Sequence, residues 1–190
     1  MKKNKDTQPL LFEIGLEELP TKAVKALSDA LCDLMIAELN SCGLNFKSLK
    51  SFATPRRLGF LITDLDSKQA DYIEEKRGPS LKAAYDQDNN FSKAALGFAN
   101  SVGVAPAKLE KLYSDNKADG WLVYKNKITG KKTELLLPEI LTTVFKKLPI
   151  TKPMRWANYD YSFIRPVHWL VLMFGNKNVK FNLFGISASN

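Results

Sequence analysis

Leu10-Leu11-Phe12-Glu13-Ile14-Gly15-Leu16-Glu17-Glu18-Leu19-Pro20 is the stretch from which the rest of the chain is read. Phe12, Ile14 and Leu16 alternate with Glu13 and Gly15. Period-two alternation predicts a strand over residues 10–16 with one buried face. Pro20 ends it, because the ring cannot donate to a ladder and holds the preceding residue extended. Helical spacing follows at once: Val24, Leu27, Leu31, Leu34, Met35 and Leu39 mark one stripe of a helix from Thr21 to Asn40, and Gly43 is placed to stop it. The strand therefore belongs in a sheet that this helix covers, and later strands are expected to join the same sheet. Glu13 is expected on the wet face. Glu17 and Glu18 are expected beside the helix N-terminus, where negative charge is favoured, in preference to a catalytic role.

Outward from that stretch, residues 1–9 read as a frayed polar tail. Leu49–Ala53 and Leu58–Leu65 read as two strands joined by the tight Thr54-Pro55-Arg56-Arg57 connection. Strand, helix, then two strands through a turn predicts an α+β fold, a mixed sheet with packed helices. Residues 66–118 change character and are expected to form an insertion. Asp71–Arg77 is charged, Gly78-Pro79-Ser80 is a turn signal and Asp86–Asn90 is a polar loop. Ser92 is placed to cap a helix through about Ser101, Gly103 ends it, and Pro106 fits the first turn of a second short helix, Pro106–Tyr113. The two helices make an inserted helical hairpin. Residues 10–65 and 119–190 are expected to form the sheet-containing body, with a strand over Gly120–Thr129 and an amphipathic helix over Thr133–Leu148. A strand over Phe163–Phe174, a hairpin turn at Gly175–Asn178 and a returning strand over Val179–Phe184 complete it. The bare Gly185–Asn190 tail then reads as a domain boundary or a cut.

Composition narrows the function classes. The chain has 190 residues, 45% of them apolar, enough for a real core. No apolar run approaches the ~18 residues of a membrane span, and no signal peptide pattern follows the basic Met1–Asp6 segment; the expected location is the cytoplasm. Cys32 and Cys42 make neither a metal-ligand pattern nor a disulfide frame. His168, the sole histidine, lies in an apolar run and reads as a satisfied sheet histidine rather than a base. Net charge is +8, and most of it is local. From Thr143 onward Lys146, Lys147, Lys152, Arg155, Arg165, Lys177 and Lys180 stand against the single acid Asp160, an excess of six positive charges. That field permits an anionic partner.

No glycine-rich phosphate loop, paired acids or nucleophile–base couple stands out. Three basic clusters remain as candidate contacts with RNA or a partner protein: Arg56 with Arg57; Lys76 with Arg77; and Lys152, Arg155 and Trp156, with Tyr159, Tyr161 and Arg165 close behind. Arginines beside aromatics bind phosphate and stack on unpaired bases. Each cluster also has a purely structural reading, with Arg56 and Arg165 fixing loops beside prolines and Trp156 in the core. No catalytic residue and no metal ligand is assigned.

The same stretches occur in a familiar order. Phe12–Pro20, Ala53-Thr54-Pro55-Arg56-Arg57-Leu58, Glu75-Lys76-Arg77-Gly78-Pro79, Lys93–Ala99, Lys152-Pro153-Met154-Arg155-Trp156 and Phe163-Ile164-Arg165-Pro166-Val167-His168-Trp169 together resemble the N-terminal part of the beta subunit family of bacterial-type, two-subunit glycine–tRNA ligases. The resemblance runs from about residue 10 through nearly the whole chain. It implies an α2β2 aminoacyl-tRNA synthetase that joins glycine to its tRNA with ATP and magnesium. It places glycine and ATP on the alpha subunit, and assembly and tRNA positioning on the beta subunit. The implied partners are the alpha subunit and glycine tRNA, with neither membrane nor DNA. Regions resembling the family's HD-type and anticodon-binding parts do not occur in these residues, and the fragment alone is expected to be inactive. The family motifs transfer no catalytic residue; Arg56, Arg57, Arg77, Arg155 and Arg165 match motif positions without a fixed role. Three rival readings are a docking module for the alpha subunit that never meets RNA, a stand-alone RNA-binding domain, and, with least support, a hydrolytic enzyme.

Overall fold

The computed structural model describes residues 6–86, 88–113, 120–156 and 160–188. In chain order the elements are β1 (Thr7–Leu16), α1 (Thr21–Ser41), β2 (Ser48–Thr54), β3 (Arg57–Asp66), β4 (Tyr72–Ser80), α2 (Leu81–Ala84), α3 (Lys93–Val102), a 3-10 turn (Pro106–Lys108), β5 (Glu110–Tyr113) and β6 (Gly120–Ile128). They continue with α4 (Thr133–Lys147), β7 (Met154–Arg155), β8 (Ser162–Phe163), β9 (Val167–Phe174), β10 (Lys177–Asn178), β11 (Asn182–Leu183) and β12 (Ile186–Ser187). The class is α+β. Two compact units divide the chain: residues 1–70 with 130–190, and residues 71–129.

The first unit is built on β1. It lies at the centre of a five-stranded sheet of order β10-β9-β1-β3-β2, and each of these pairings is antiparallel. Phe12 faces Phe60 on one side and Leu172 on the other. The expected alternation holds, with Leu10, Phe12, Ile14 and Leu16 buried. Their face packs on α1 through Leu27, Leu31, Met35 and Leu39 and on α4 through Leu137, Leu141, Val144 and Phe145. Phe12 stacks on Phe60 (5.4 Å between centroids) and meets Phe145 edge-on at 5.6 Å. The strand starts three residues earlier than the pattern predicts, so Thr7–Pro9 belong to the sheet rather than to a tail. The helix expected over Thr21–Asn40 is α1, and Gly43 follows it at φ +66°.

Three expectations for the remainder of this unit are corrected. The strand predicted over Phe163–Phe174 is broken at residues 164–166, leaving the short β8 and the longer β9. The return after Gly175 pairs for only two residues, Lys177 and Asn178. The chain then turns through Phe184 and Gly185 to pair β11 with β12. At the exit to the second unit, Gln69 clasps both chain crossings. Its backbone N–H donates to the Lys131 carbonyl (3.0 Å), its Oε1 accepts from the Lys131 N–H (3.2 Å), and its Nε2 donates to the Cys42 carbonyl (2.7 Å). Among the described residues no helix is long and apolar enough to cross a membrane.

The second unit is a three-stranded antiparallel sheet, β4-β6-β5, with α2 and α3. Ala84, Ala95 and Leu122 are its buried centre. Ser92 caps α3, accepting from the Ala95 N–H at 3.3 Å, and Gly103 ends it in the left-handed region. The helical hairpin is corrected here. Pro106 opens only a 3-10 turn, Leu109 is extended, and residues 110–113 pair with residues 120–123. The charged segment beginning at Asp71 is also no loop, since Tyr72–Arg77 pair with Val123–Ile128. The strand near residue 120, expected in the body, is the centre of this second sheet.

Candidate functional site

Three of the quoted motifs, distant in sequence, meet at one end of the five-stranded sheet. After β1 the Leu16–Leu19 segment runs between two proline-containing turns. Leu16 N–H donates to the Arg56 carbonyl (2.9 Å), Leu19 N–H to the Pro55 carbonyl (2.7 Å) and Glu17 N–H to the Pro166 carbonyl (3.0 Å). Proline fits both turns because each supplies a carbonyl and needs no N–H there. Arg165 locks the clamp, with Nε donating to the Glu18 carbonyl (3.0 Å) and Nη1 to the Ile164 carbonyl (2.8 Å).

The charges at this end are matched internally. Arg57 Nη1 lies 3.3 Å from Glu13 Oε2, Arg56 Nη2 lies 3.8 Å from Glu18 Oε2, and His168 Nε2 lies 2.9 Å from Glu17 Oε1. Arg57 also covers the ring of Trp169 at 5.1 Å. The indole in turn occupies the space over Gly15, where a Cβ would fall inside the ring. Glu13 is thus on the outer face as expected. His168 lies on β9, half-exposed, with its ring nitrogen hydrogen-bonded to Glu17, so it is a satisfied sheet histidine rather than a core one. These exposed pairs add little stability each. Together they leave a nearly neutral surface with one partly open indole, suited to docking by shape rather than to gathering phosphates.

The third cluster lies elsewhere on this unit. Met154 and Arg155 pair with Phe163 and Ser162. Trp156 is half-buried, its ring 5.9 Å from that of Phe184. Lys152 and Arg155 are exposed and have no acidic partner among the described residues. Tyr159 lies outside the described residues. Of the seven basic residues counted after Thr143, Lys147 pairs with Glu38 at 2.5 Å, Lys177 with Glu134 at 4.0 Å, and Arg165 is held by carbonyls. Setting aside Arg165, which has no acid but whose N–H groups are taken up by carbonyls, the cations without an acidic partner among the described residues narrow to Lys146, Lys152, Arg155 and Lys180. Lys146 and Lys180 were legible only as members of a charge count; no motif marks them.

Lys76 and Arg77 belong to the second unit, on β4. The Arg77 guanidinium covers the Trp121 ring at 3.5 Å, and Phe98 fills the space over Gly78. Lys76 is exposed, opposite Tyr124. Here too the arginine of the motif is spent on an aromatic neighbour. Among the described residues no group of three or more His, Cys, Asp or Glu side chains comes together to hold a metal ion. Both cysteines are free thiols, and burial, reinforced by the charge of Asp33, pushes Cys32 up to about 11.

Residues 10–190 match the family described as glycyl-tRNA synthetase beta subunit. The chain is 43% identical over 184 residues to the glycine–tRNA ligase beta subunit of Marinobacter nauticus, covering 97% of this chain and 26% of that one. It is 43% identical over 183 residues to the corresponding subunit of Hahella chejuensis, covering 96% and 26%. With that of Haemophilus influenzae strain Rd the identity is 40% over 183 residues, covering 96% and 26%. The chain thus spans about a quarter of the length of these curated relatives. A family match over residues 10–190, together with relatives about 40% identical over nearly all of this chain, shows that the chain belongs to the glycyl-tRNA synthetase beta subunit family.

Proposed function

We propose that the chain is the opening part of the beta subunit of a cytoplasmic, two-subunit glycine–tRNA ligase, and that it serves assembly and tRNA positioning while the alpha subunit carries out adenylate chemistry with ATP and magnesium. No residue of this chain is assigned to ATP or magnesium. The contribution is binding and orientation, which lowers a barrier by holding reactants in place. The observation that carries the RNA half is the narrowed set of cations. Lys146, Lys152, Arg155 and Lys180 are all exposed, and the described residues supply none of them with an acid. Phosphates are the natural counterions of such a set. The test is tRNA binding by the complete alpha–beta enzyme carrying Lys152→Gln and Arg155→Gln. With two fewer phosphates neutralised, the slope of log K against log salt becomes shallower by about 1.8. An unchanged slope would refute tRNA contact here.

The assembly half is supported by the clamp at the sheet end. Arg56, Arg57 and Arg165 are occupied within the chain, and Trp169 remains partly open. That pattern favours a protein contact at this end, made by shape and a buried aromatic anchor. Co-purification of this chain with the alpha subunit, without RNA and at two salt concentrations, tests it. A salt-resistant complex is expected, and its absence would remove the docking role from these residues.

A further inference from the structure

A groove on the first unit runs along α4 to the turn between β11 and β12. One part, about 730 Å³, includes Lys146, Lys180 and Asn182. The other, about 470 Å³, is walled by Phe145, Tyr161 and Phe184 and shares Lys146 and Asn182 with the first. Both volumes fall within the roughly 300–1,000 Å³ of small-ligand sites.

The Phe184 turn is unusual. Leu183 pairs with Ile186, and the two residues between them both have positive φ, +54° at Phe184 and +75° at Gly185. Glycine adopts that region freely; a phenylalanine there is strained and persists only where its surroundings hold it. Four rings hold this one, with centroids at 5.1 Å (Phe163), 5.9 Å (Trp156), 6.1 Å (Phe145) and 6.3 Å (Tyr161). The result is an aromatic wall of fixed orientation beside a cavity. Lys146 and Lys180 are exposed, and among the described residues Glu139 is the one acid lining either part of the groove. Asn182 donates one N–H weakly to Ser187 Oγ (3.4 Å), which leaves its carbonyl oxygen and a second N–H to face a ligand.

The geometry points to a single-nucleotide pocket: one unpaired RNA base enters the cavity that Tyr161 and Phe184 line and stacks on the exposed Tyr161 ring, Asn182 meets its polar edge, and Lys146 and Lys180 hold the flanking phosphates. A ring-lined slot next to two ammonium groups matches the two halves of a nucleotide. An apolar peptide side chain would use the slot and leave the lysines idle. This inference rests on the RNA-positioning reading and adds a base-contacting site to it.

The test uses the complete beta subunit bound to its alpha subunit. The probes are a fluorescein-labelled single-stranded RNA of about ten nucleotides and an oligomer of equal length whose sugars lack bases. Tyr161→Ala is expected to weaken the RNA about tenfold, as loss of one stacked base does. It leaves the abasic oligomer and the salt slope unchanged, and Tyr161→Phe restores binding. Lys146→Gln with Lys180→Gln is expected to lower the salt slope by about 1.4 for both probes. A photo-reactive 4-thiouridine strand, bound to the unaltered enzyme, is expected to attach within residues 142–184. Attachment only elsewhere, or equal loss of both probes in Tyr161→Ala, would overturn the pocket. So would retained RNA affinity with loss of the alpha subunit, which would give the groove to a protein. If the groove variants have no effect while Lys152→Gln and Arg155→Gln still lower the tRNA salt slope, the pocket fails and RNA positioning stands. If neither set has an effect, both fail.

Discussion

Gly15→Ala strikes the motif clamp at its tightest point. A methyl at Gly15 has no space, because the Trp169 indole lies where it would go. The ring must swing outward, and Arg57, which covers it at 5.1 Å, loses its aromatic partner. Overpacking of this kind costs about 1–3 kcal/mol and the exposed cation–π contact about 0.5–1 kcal/mol. Reduced freedom of the unfolded chain returns about 0.4–1 kcal/mol. The expected net loss is about 2 kcal/mol, a fall of about 4–8 °C in Tm for a chain of this size. Trp169→Ala alone removes a half-buried ring and is expected to cost about 2 kcal/mol as well. In the double variant the clash is gone, so its cost is expected near 2 rather than 4 kcal/mol, a coupling of about 2 kcal/mol. Urea unfolding followed by far-ultraviolet circular dichroism reads all three variants without relying on Trp169 emission. Additive losses would show that the ring and the glycine do not share that space, and would refute the clamp.

Asp66 is 3% exposed and accepts from the Asn45 backbone N–H (3.0 Å) and Nδ2 (2.9 Å). Asp66→Ala removes both bonds, and because Asn45 is exposed, water takes up its donors, so thermal unfolding should show a loss of about 1–2 kcal/mol; a loss under about 0.5 kcal/mol would contradict that role. Cys32 is buried with its pKa pushed up to about 11, so at pH 8 only about one molecule in a thousand carries its thiolate. Iodoacetamide on the folded chain is expected to label the half-buried Cys42 first, with Cys32 modified only as pH approaches 11 or on unfolding; peptide mass mapping reads both. Ser92→Ala removes the cap of α3 and the hydroxyl bond to the Ala83 carbonyl (2.6 Å). A loss of about 1 kcal/mol is expected, seen as faster amide exchange in α3 with the first unit's β1 amides unchanged.

The elements that the sequence disclosed are those whose signals are local. The alternation at Phe12, Ile14 and Leu16, the apolar stripe of α1, and the Ser92 and Gly103 ends of α3 each sit within one turn or one strand. The helical hairpin failed because Glu110–Tyr113 becomes a strand only by pairing with Gly120–Val123, and nothing inside the segment announces that partner. Residues 72–77 failed for a related reason. The strand is mostly exposed and has no apolar period, and its partners across β6 include Lys125 opposite Glu75 and Lys127 opposite Ile73. The site was half legible. The motifs marked Arg56, Arg57 and Arg165, but their partners Glu13 and Glu18 lie far upstream in sequence, so spacing could not reveal that these cations were occupied. Phe184 was read as the end of a strand; its positive φ shows only in three dimensions.

The central position of β1 also sets a timetable for synthesis. One edge of the strand is claimed by β3 within the first 66 residues, but the other waits for β9 at residues 167–174. About 100 residues separate Asp66 from Val167. At ribosomal rates of roughly 5–20 residues per second, that edge stays open for about 5–20 s on each nascent chain. Through that interval an unpaired strand with alternate apolar residues is exposed beside its neighbours on a polysome, the geometry that favours edge-to-edge pairing between chains. Slowing translation between residues 66 and 167 should therefore raise aggregation of newly made chains while leaving the stability of the finished fold untouched.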